Sequence, residues 1–395
     1  MNLLIISNGD LPIPTSQGGA VETLIQTIID ANEKEKQHEI TIYTPCDNKS
    51  REMAKSYKKC KFEFINTNSF LFKVGRAIRF LINRLPNIYI GNQFIHNVSK
   101  KLKKQKDKND KYDYVIIENS PQYALILKEY FKDNLILHLH NDFLNVNIDM
   151  AYKILHSYAK VFTLSNYIKK RVEQIDSKYK NVYTLYNGVE INKFDKDVDV
   201  TELRKDLNIE KDDFVFLFTG RIVKEKGVEE LLLAYKNMPV DKNLKLLIVG
   251  NLNTDNIIKK KYIKNLFDIV KDIKNKVVFT GYIPYEELYK YYKIADVGIV
   301  PSIWEEPFAL TVIEHLASGH PVIMTNSGGM SELADKKSTV VIERDNMIQN
   351  LTNAMLEIRQ NRENYLKQDL LKQANKFDSE SYYKRFNELI TKEKV

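Results

Sequence analysis

The residues best able to do chemistry sit in a few short loops. The densest is Pro301-Ser302-Ile303-Trp304-Glu305-Glu306-Pro307-Phe308-Ala309-Leu310-Thr311-Val312-Ile313-Glu314, in which Glu306 and Glu314 bracket a Pro-Phe-Ala-Leu step. Pro307 suits the start of a helix, so a helix is expected from near Phe308, with its free backbone N–H groups forming an anion site. Glu314 then lies roughly five residues further in, about 8 Å along the axis. That is the reach from a diphosphate to the ribose hydroxyls of the same nucleotide. Glu306, just before the helix, is placed to accept hydrogen bonds from a sugar beyond the diphosphate. The plain alternative is that Glu306 complements the helix dipole and Glu314 is a surface acid.

Three further loops have usable chemistry. In Phe218-Thr219-Gly220-Arg221-Ile222-Val223-Lys224-Glu225-Lys226-Gly227, Gly220 allows a sharp turn. Arg221 there offers a planar fork to phosphate oxygens and Lys226 a mobile point charge; solvated surface cations are the alternative. Gly18 and Gly19 precede Ala20-Val21-Glu22 and permit close approach of backbone to a ligand, or simply make a turn. In Leu137-His138-Leu139-His140-Asn141-Asp142, alternation puts both histidines on one side of a strand, His140 nearer its C-terminal end. Such a histidine can orient a substrate hydroxyl or donate at a reacting carbon; a structural histidine, or a metal pair with Asp142, are the alternatives. Asp197-Val198-Asp199 spells a D-x-D but lies in a charged stretch away from any strand tip, and reads as coincidence.

These loops need elements to hold them. Short Val/Ile-rich runs alternate with helical patterns, the signature of βαβ units and parallel sheets. Strands are expected at 3–7, 39–44, 61–65, 114–118, 135–139, 161–164 and 182–186, then at 214–218, 245–249, 277–280, 297–300, 322–325 and 339–342. Helices are expected at 20–33, 255–270, 285–294 and 310–318 among others. In open parallel sheets ligands bind beyond the carboxyl ends of strands, where the four loops fall. The charged run 192–211 lacks apolar periodicity and reads as a linker with a short helix. It divides a domain at 1–191, joined by a C-terminal helix at 377–395, from one at 212–376.

Composition narrows the classes. A chain of 395 residues with 43% hydrophobic residues predicts two globular domains. No run is long enough to span a bilayer, and the N-terminus reads as a core strand rather than a signal peptide. Cys46 and Cys60 form no CxxC and have no nearby histidine, which argues against structural zinc or a disulfide framework. The cytoplasm is the expected compartment. The net charge of +8 is local: residues 51–111 hold 16 Lys/Arg against 4 Asp/Glu, leaving the remainder slightly acidic. Within it, Phe72, Val74, Ile78, Phe80, Leu81 and Ile82 interleave with Lys73, Arg76, Arg79 and Arg84, a basic amphipathic pattern. An anionic membrane surface is therefore an expected partner, with peripheral attachment at the inner face of the plasma membrane; a merely soluble basic face is the alternative. No RNA-binding motif accompanies the segment, and no nucleic-acid partner is expected.

Taken together, these motifs resemble the retaining glycosyltransferases of family 4, glycosyl transferases group 1. The resemblance covers nearly the whole chain and is dense from Phe218 to Leu333. Its most specific element is the E-x7-E pattern from Glu306 to Glu314, accompanied by GRIVKEKG at Gly220–Gly227, NGVE at Asn187–Glu190, GYIPYEELY at Gly281–Tyr289 and the early GGAVE. The implied fold is α/β GT-B, two Rossmann-like doubly wound parallel-sheet domains facing each other across a cleft. The implied activity moves a hexose or N-acetylhexosamine, in UDP-linked form by family frequency, to a hydroxyl of a glycan or lipid-linked acceptor in cell-surface polysaccharide or glycoconjugate synthesis.

The resemblance also implies roles. Arg221 and Lys226 hold the donor diphosphate, Glu314 the ribose, and Glu306 the transferred sugar with the backbone of Phe308, Ala309 and Leu310. Tyr282 and Ile283 resemble the nucleobase pocket. His140 resembles the histidine near the anomeric carbon, with His138 as the other candidate. The nucleotide sugar is a co-substrate; no cofactor and no metal are expected. The rival classes are a non-catalytic GT-B-like sugar-binding or coat protein and a nucleic-acid-binding protein built on the basic patch. A phosphorylase or epimerase is a nearer rival, because a fold does not determine a reaction.

Overall fold

The computed structural model describes residues 1–85, 88–104, 112–252 and 256–393. The chain forms two compact units, residues 1–188 with 380–395, and residues 189–379. Each is built on a parallel sheet.

The first sheet has seven strands: β1 (Asn2–Ile6), β2 (Glu39–Pro45), β3 (Cys60–Ile65), β4 (Tyr114–Glu118), β5 (Leu135–Leu139), β6 (Lys160–Thr163) and β7 (Val182–Thr184). Their order is β3-β2-β1-β4-β5-β6-β7, all parallel. Central strands are apolar on both faces: Leu3, Leu4, Ile5 and Ile6 of β1 are all buried, as expected of a parallel sheet covered by helices on each side. The helix Ala20–Glu35 turns Leu24, Ile25, Ile28 and Ile29 onto this core. The helix Ser379–Thr391 adds Tyr382, Tyr383, Phe386, Leu389 and Ile390 to the same cluster. Its last carbonyls have a specific partner: buried Lys160 Nζ donates to Leu389 O at 3.0 Å and Ile390 O at 2.6 Å, satisfying groups that a helix end leaves free.

The second sheet has six parallel strands: β8 (Phe214–Thr219), β9 (Leu244–Val249), β10 (Lys276–Gly281), β11 (Val297–Val300), β12 (Val322–Thr325) and β13 (Thr339–Ile342). Their order is β10-β9-β8-β11-β12-β13, the doubly wound order of a Rossmann sheet. All thirteen strands lie on expected runs, with ends differing by a residue or two, so the α/β fold of two Rossmann-like sheets is as the sequence indicated.

The stretch 192–211, read above as a linker, lies inside the second unit. It forms the helices Ile191–Phe194 and Thr201–Asp206 and buries Phe194 and Ile209. Two isolated apolar residues in a charged run make no periodic pattern, yet each fills a pocket. The D-x-D within it is spent locally: Asp199 accepts from Thr201 N at 2.9 Å, and Asp197 is exposed with Lys293 at 3.7 Å.

Candidate active site

In the second sheet the winding reverses between β8 and β11, so the loops leaving their tips part and open a crevice. These two loops carry Arg221 and Lys226 on one side and Glu306 on the other. After Gly220, which adopts φ 153°, the chain makes a short 3-10 turn at Lys224–Lys226 and enters the helix Val228–Lys236. Gly227 adopts φ 69°, and a Cβ there would lie 1.8 Å from Pro301 O. The β8 loop is therefore pressed directly on the β11 loop, and only glycine permits it.

That contact brings Lys226 to Glu306. Lys226 Nζ donates to the two carboxylate oxygens at 2.9 and 2.7 Å. Ser302 Oγ donates to Oε2 at 3.0 Å and Trp304 Nε1 at 2.8 Å. Glu306 N donates to Ser327 Oγ at 3.0 Å, and Glu306 O accepts from Gly329 N at 2.8 Å. Glu306 is only 5% exposed; at such a site a carboxylate must be paired and hydrogen-bonded to stay ionised. An ammonium has three N–H donors and Glu306 engages two, which leaves one for a ligand. Arg221 is exposed and makes no ion pair with any described residue. It lines a groove of about 750 Å³ together with Lys224, Lys259, Lys261, Tyr262 and Trp304.

The helix expected from Phe308 begins at Leu310. Ahead of it Ala309 is extended (φ −116°, ψ 94°), and Phe308 is buried with its ring 5.8 Å from that of Phe377, which holds the approach out of helical geometry. No side chain caps the helix and Val312 N donates to Ala309 O at 3.1 Å, so the amides of Leu310 and Thr311 are the ones offered to an anion. Glu314 is four residues in, about 6 Å along the axis. It is not a surface acid: it is 4% exposed and accepts from Tyr285 OH at 3.2 Å and Tyr292 OH at 2.5 Å. Burial raises its carboxyl pKa, against the two tyrosine hydrogen bonds and the charge of Lys193. The former linker supports these tyrosines. Phe194 packs edge-on against Tyr285 at 6.2 Å and Tyr292 at 5.3 Å, and Lys193 Nζ lies 4.0 Å from the Tyr285 ring centre. Tyr282 is exposed and Ile283 half-buried, in the loop that follows Gly281 at the tip of β10.

In the first unit the reversal lies between β1 and β4. Gly18 and Gly19 follow β1 and lead into the helix Ala20–Glu35 with φ 76° and 106°. A Cβ on Gly19 would lie 2.2 Å from Glu22 Oε2, so the carboxylate of Glu22 sits back over the turn; a Cβ on Gly18 would meet nothing. Glu22 is buried, and desolvation raises its pKa. Strand β5 carries the histidines. Both are buried, their rings 4.1 Å apart. His140 Nε2 is 2.8 Å from Glu118 Oε2, and His140 N donates to Asn119 Oδ1 at 3.0 Å. His138 Nδ1 lies 3.1 Å from the same Glu118 oxygen, out of line for a hydrogen bond. Burial first, and His138 second, press the His140 pKa down to about 4 against the opposing carboxylate. At neutral pH the pair is thus a carboxylate and a neutral imidazole donating from Nε2. Glu118, His138 and His140 bring three potential ligand atoms within 4.8 Å of one another. Asp142, weighed above as a metal partner, is turned instead to Arg171.

Several residues escaped the sequence reading: Glu118, Tyr285, Tyr292, Ser302, Trp304, Ser327, Lys193 and Phe194. Glu118 had a signal, an acid closing the apolar run Tyr114–Glu118; its β5 partner in register is His138.

Residues 199–377 match the model of glycosyl transferases group 1. The second unit belongs to that family. Among curated relatives, an uncharacterized glycosyltransferase of Methanocaldococcus jannaschii is 31% identical over 47% of this chain and 46% of its own length. The lipopolysaccharide 1,2-N-acetylglucosaminetransferase of Salmonella typhimurium is 30% identical over 61% of this chain and 60% of its own. The chain thus spans about half the length of these two relatives. Spore coat protein SA of Bacillus subtilis is 24% identical over 87% of this chain and 86% of its own. Among solved structures, Anabaena HepE in complex with UDP and glucose aligns over 99% of both chains with a TM-score of 0.73 at 16% identity. Sucrose-phosphate synthase from Thermosynechococcus elongatus aligns over 98% of both, with a TM-score of 0.70 at 18% identity. These two support a common fold.

Proposed function

We propose that the protein is a retaining glycosyltransferase that transfers a hexose or N-acetylhexosamine from a nucleotide diphosphate sugar to a hydroxyl of a glycan or lipid-linked acceptor. The observation that carries this reading is the meeting of Lys226 with Glu306 at the switch point of the second sheet, between exposed Arg221 and the uncapped helix leading to Glu314. Cations and helix amides suit a diphosphate; carboxylates on either side suit the hydroxyls of ribose and sugar. UDP is the favoured nucleotide, supported by the UDP bound in HepE, with Tyr282 and Ile283 beside the base.

In the proposed reaction the acceptor oxygen bonds to the anomeric carbon on the face that the leaving group vacates. The bond from that carbon to the β-phosphate oxygen breaks, and its electron pair stays on the nucleoside diphosphate, which also takes the acceptor proton. Arg221, Lys226 and the helix amides stabilise the growing charge on that phosphate, where fixed donors act most strongly. Glu306 orients the sugar. His140 is held neutral by its burial in the first unit.

The test is a thermal-shift series with UDP, GDP and ADP sugars. A ligand at a hundred times its Kd stabilises by about 2.7 kcal/mol, so one base should raise the melting temperature clearly above the others. Equal, negligible shifts with all of them would remove the reading. Release of UDP dependent on an added acceptor separates an enzyme from a non-catalytic sugar binder.

A further inference from the structure

The first unit carries a helix whose apolar face is turned outward. The helix Phe70–Ile82 is capped at its start by Ser69, whose side chain accepts from Phe72 N at 3.2 Å. Only Phe72 is buried in it. At 100° per residue, Phe70, Leu81, Val74, Ile78 and Leu71 fall within one arc of about 100°, and their exposures are 77%, 64%, 40%, 53% and 80%. Leu85, just past the helix, is 53% exposed. On the opposite side Arg79 fastens the helix down, donating to Gln93 Oε1 at 3.2 Å and Ile90 O at 2.7 Å. The apolar arc is therefore held outward by specific bonds. Exposed Lys73 and Arg76 flank one edge, and Arg84 lies over the Phe80 ring at 4.5 Å.

We propose that this helix face is a docking surface for an anionic lipid bilayer, its apolar arc entering the headgroup–acyl boundary and Lys73, Arg76 and Arg84 contacting lipid phosphates. An interfacial helix has this build: a continuous apolar face with cations beside it. The occupant follows from charge. The helix carries Lys73, Arg76 and Arg79 and no acid, with Arg84 just beyond it, so a second copy seated on the same face would bring like charge against like, whereas an anionic membrane is attracted. Nucleic acid would meet the cations but leave the aliphatic arc in water. No described helix is long and apolar enough to cross a membrane. The proposal does not rest on the reading of the second unit, since lipid binding needs no nucleotide sugar.

The test is flotation of the full chain with vesicles of phosphatidylcholine, with and without about a third phosphatidylglycerol, chosen because each surface cation contributes about five-fold to binding. Binding is expected to the anionic vesicles only, and to weaken as salt is added. Leu71→Glu with Ile78→Glu alters exposed positions and should abolish flotation while the melting temperature is unchanged. Lys73→Gln with Arg76→Gln should reduce binding about twenty-five-fold and flatten the salt dependence. The proposal is overturned by absence of flotation with anionic vesicles, by equal flotation of the Glu variants, or by a concentration-dependent dimer that the Glu variants convert to monomer.

Discussion

Two sheets of the same winding carry opposite kinds of site. At the reversal of the second sheet, a cation and an acid from different loops meet, with a second cation left exposed beside them. In the first sheet an acid and two imidazoles share one buried cluster, and cations lie on the outer helix Phe70–Ile82. The strand order is the same, so topology supplies only the place; the loop residues decide what is bound there. The second unit is arranged to receive an anion, the first to present a neutral ring. The predictions below try that contrast in turn.

The largest effect should come from the two cations. Lys226→Ala and Arg221→Ala should each lower kcat by about 10²- to 10³-fold, the loss usual for one donor to developing negative charge. Stability should separate them. Lys226→Ala strands the carboxylate of Glu306 in a nearly buried site and should lower the melting temperature, and Glu306→Gln in the same chain should recover most of that loss without restoring turnover. Arg221→Ala leaves no partner behind and should melt as the parent. Unchanged turnover in both variants would contradict the anion site.

Next comes backbone strain. Gly227→Ala should cost several kcal/mol, because its Cβ would strike the Pro301 carbonyl at a backbone angle that L-residues avoid. Gly18→Ala in the first unit has open space and only its φ of 76° against it, which is worth about 1–2 kcal/mol. Comparable losses would mean that the close approach of the β8 and β11 loops is not what the second site depends on. Trp304, the single tryptophan, reports unfolding of the second unit by its fluorescence.

Acid should distinguish the units more gently. Burial lowers His140 to about 4 in the first unit; in the second it lowers His320 to about 3 and holds His315 well below its ordinary value. A histidine depressed in the folded state takes up its proton more readily when unfolded. Its contribution is complete above pH about 6.5, shrinks as pH falls toward the folded value, and is fully lost below that. His140 alone accounts for a loss on the order of 3 kcal/mol. His38 and His96 of the first unit are lowered by burial too, though less strongly. The second unit, with two deeply depressed residues, should therefore weaken more steeply between pH 6.5 and 4, as seen by Trp304 fluorescence set against hydrogen exchange in β5. Glu118 works in the same direction on a lower window: its folded pKa of about 2 lies below its ordinary value of 4.5, so its contribution is present above about pH 4.5 and is lost as pH falls toward 2.

How far these sites could be read in the sequence depends on distance along the chain. The strands were legible because each is a compact Val/Ile run, and Glu306 and Glu314 because they stand eight apart in one loop. What holds them was not. Tyr285 and Tyr292 reach Glu314 across 29 and 22 positions, and Ser327 reaches Glu306 across 21; nothing local marks a tyrosine as the partner of a distant acid. Phe194 was lost for a related reason. A lone aromatic among Asp and Lys has no period, although it packs against both tyrosines. The start of the helix at Leu310 was missed because Pro307 is compatible with a helix, but Phe308 is drawn into the core and straightens the backbone before Leu310.

The smallest effect tests that hidden layer. Tyr285→Phe removes one of two hydroxyls donating to Glu314, at 3.2 Å, and leaves Tyr292 in place. A single hydrogen bond to a charged group contributes about 1.5–3 kcal/mol at most, and less when a second donor remains. The expectation is therefore a loss of nucleotide affinity of about ten-fold or below, measured by titration calorimetry, with kcat at saturation unchanged because ribose is remote from the breaking bond. Phe194→Ala should have the same character by loosening both rings, with an added loss of stability from the vacated core. If instead either change lowered kcat and left affinity intact, Glu314 would belong with the reacting sugar rather than the ribose, and the order of groups along the cleft from β11 to β10 would have to be reversed.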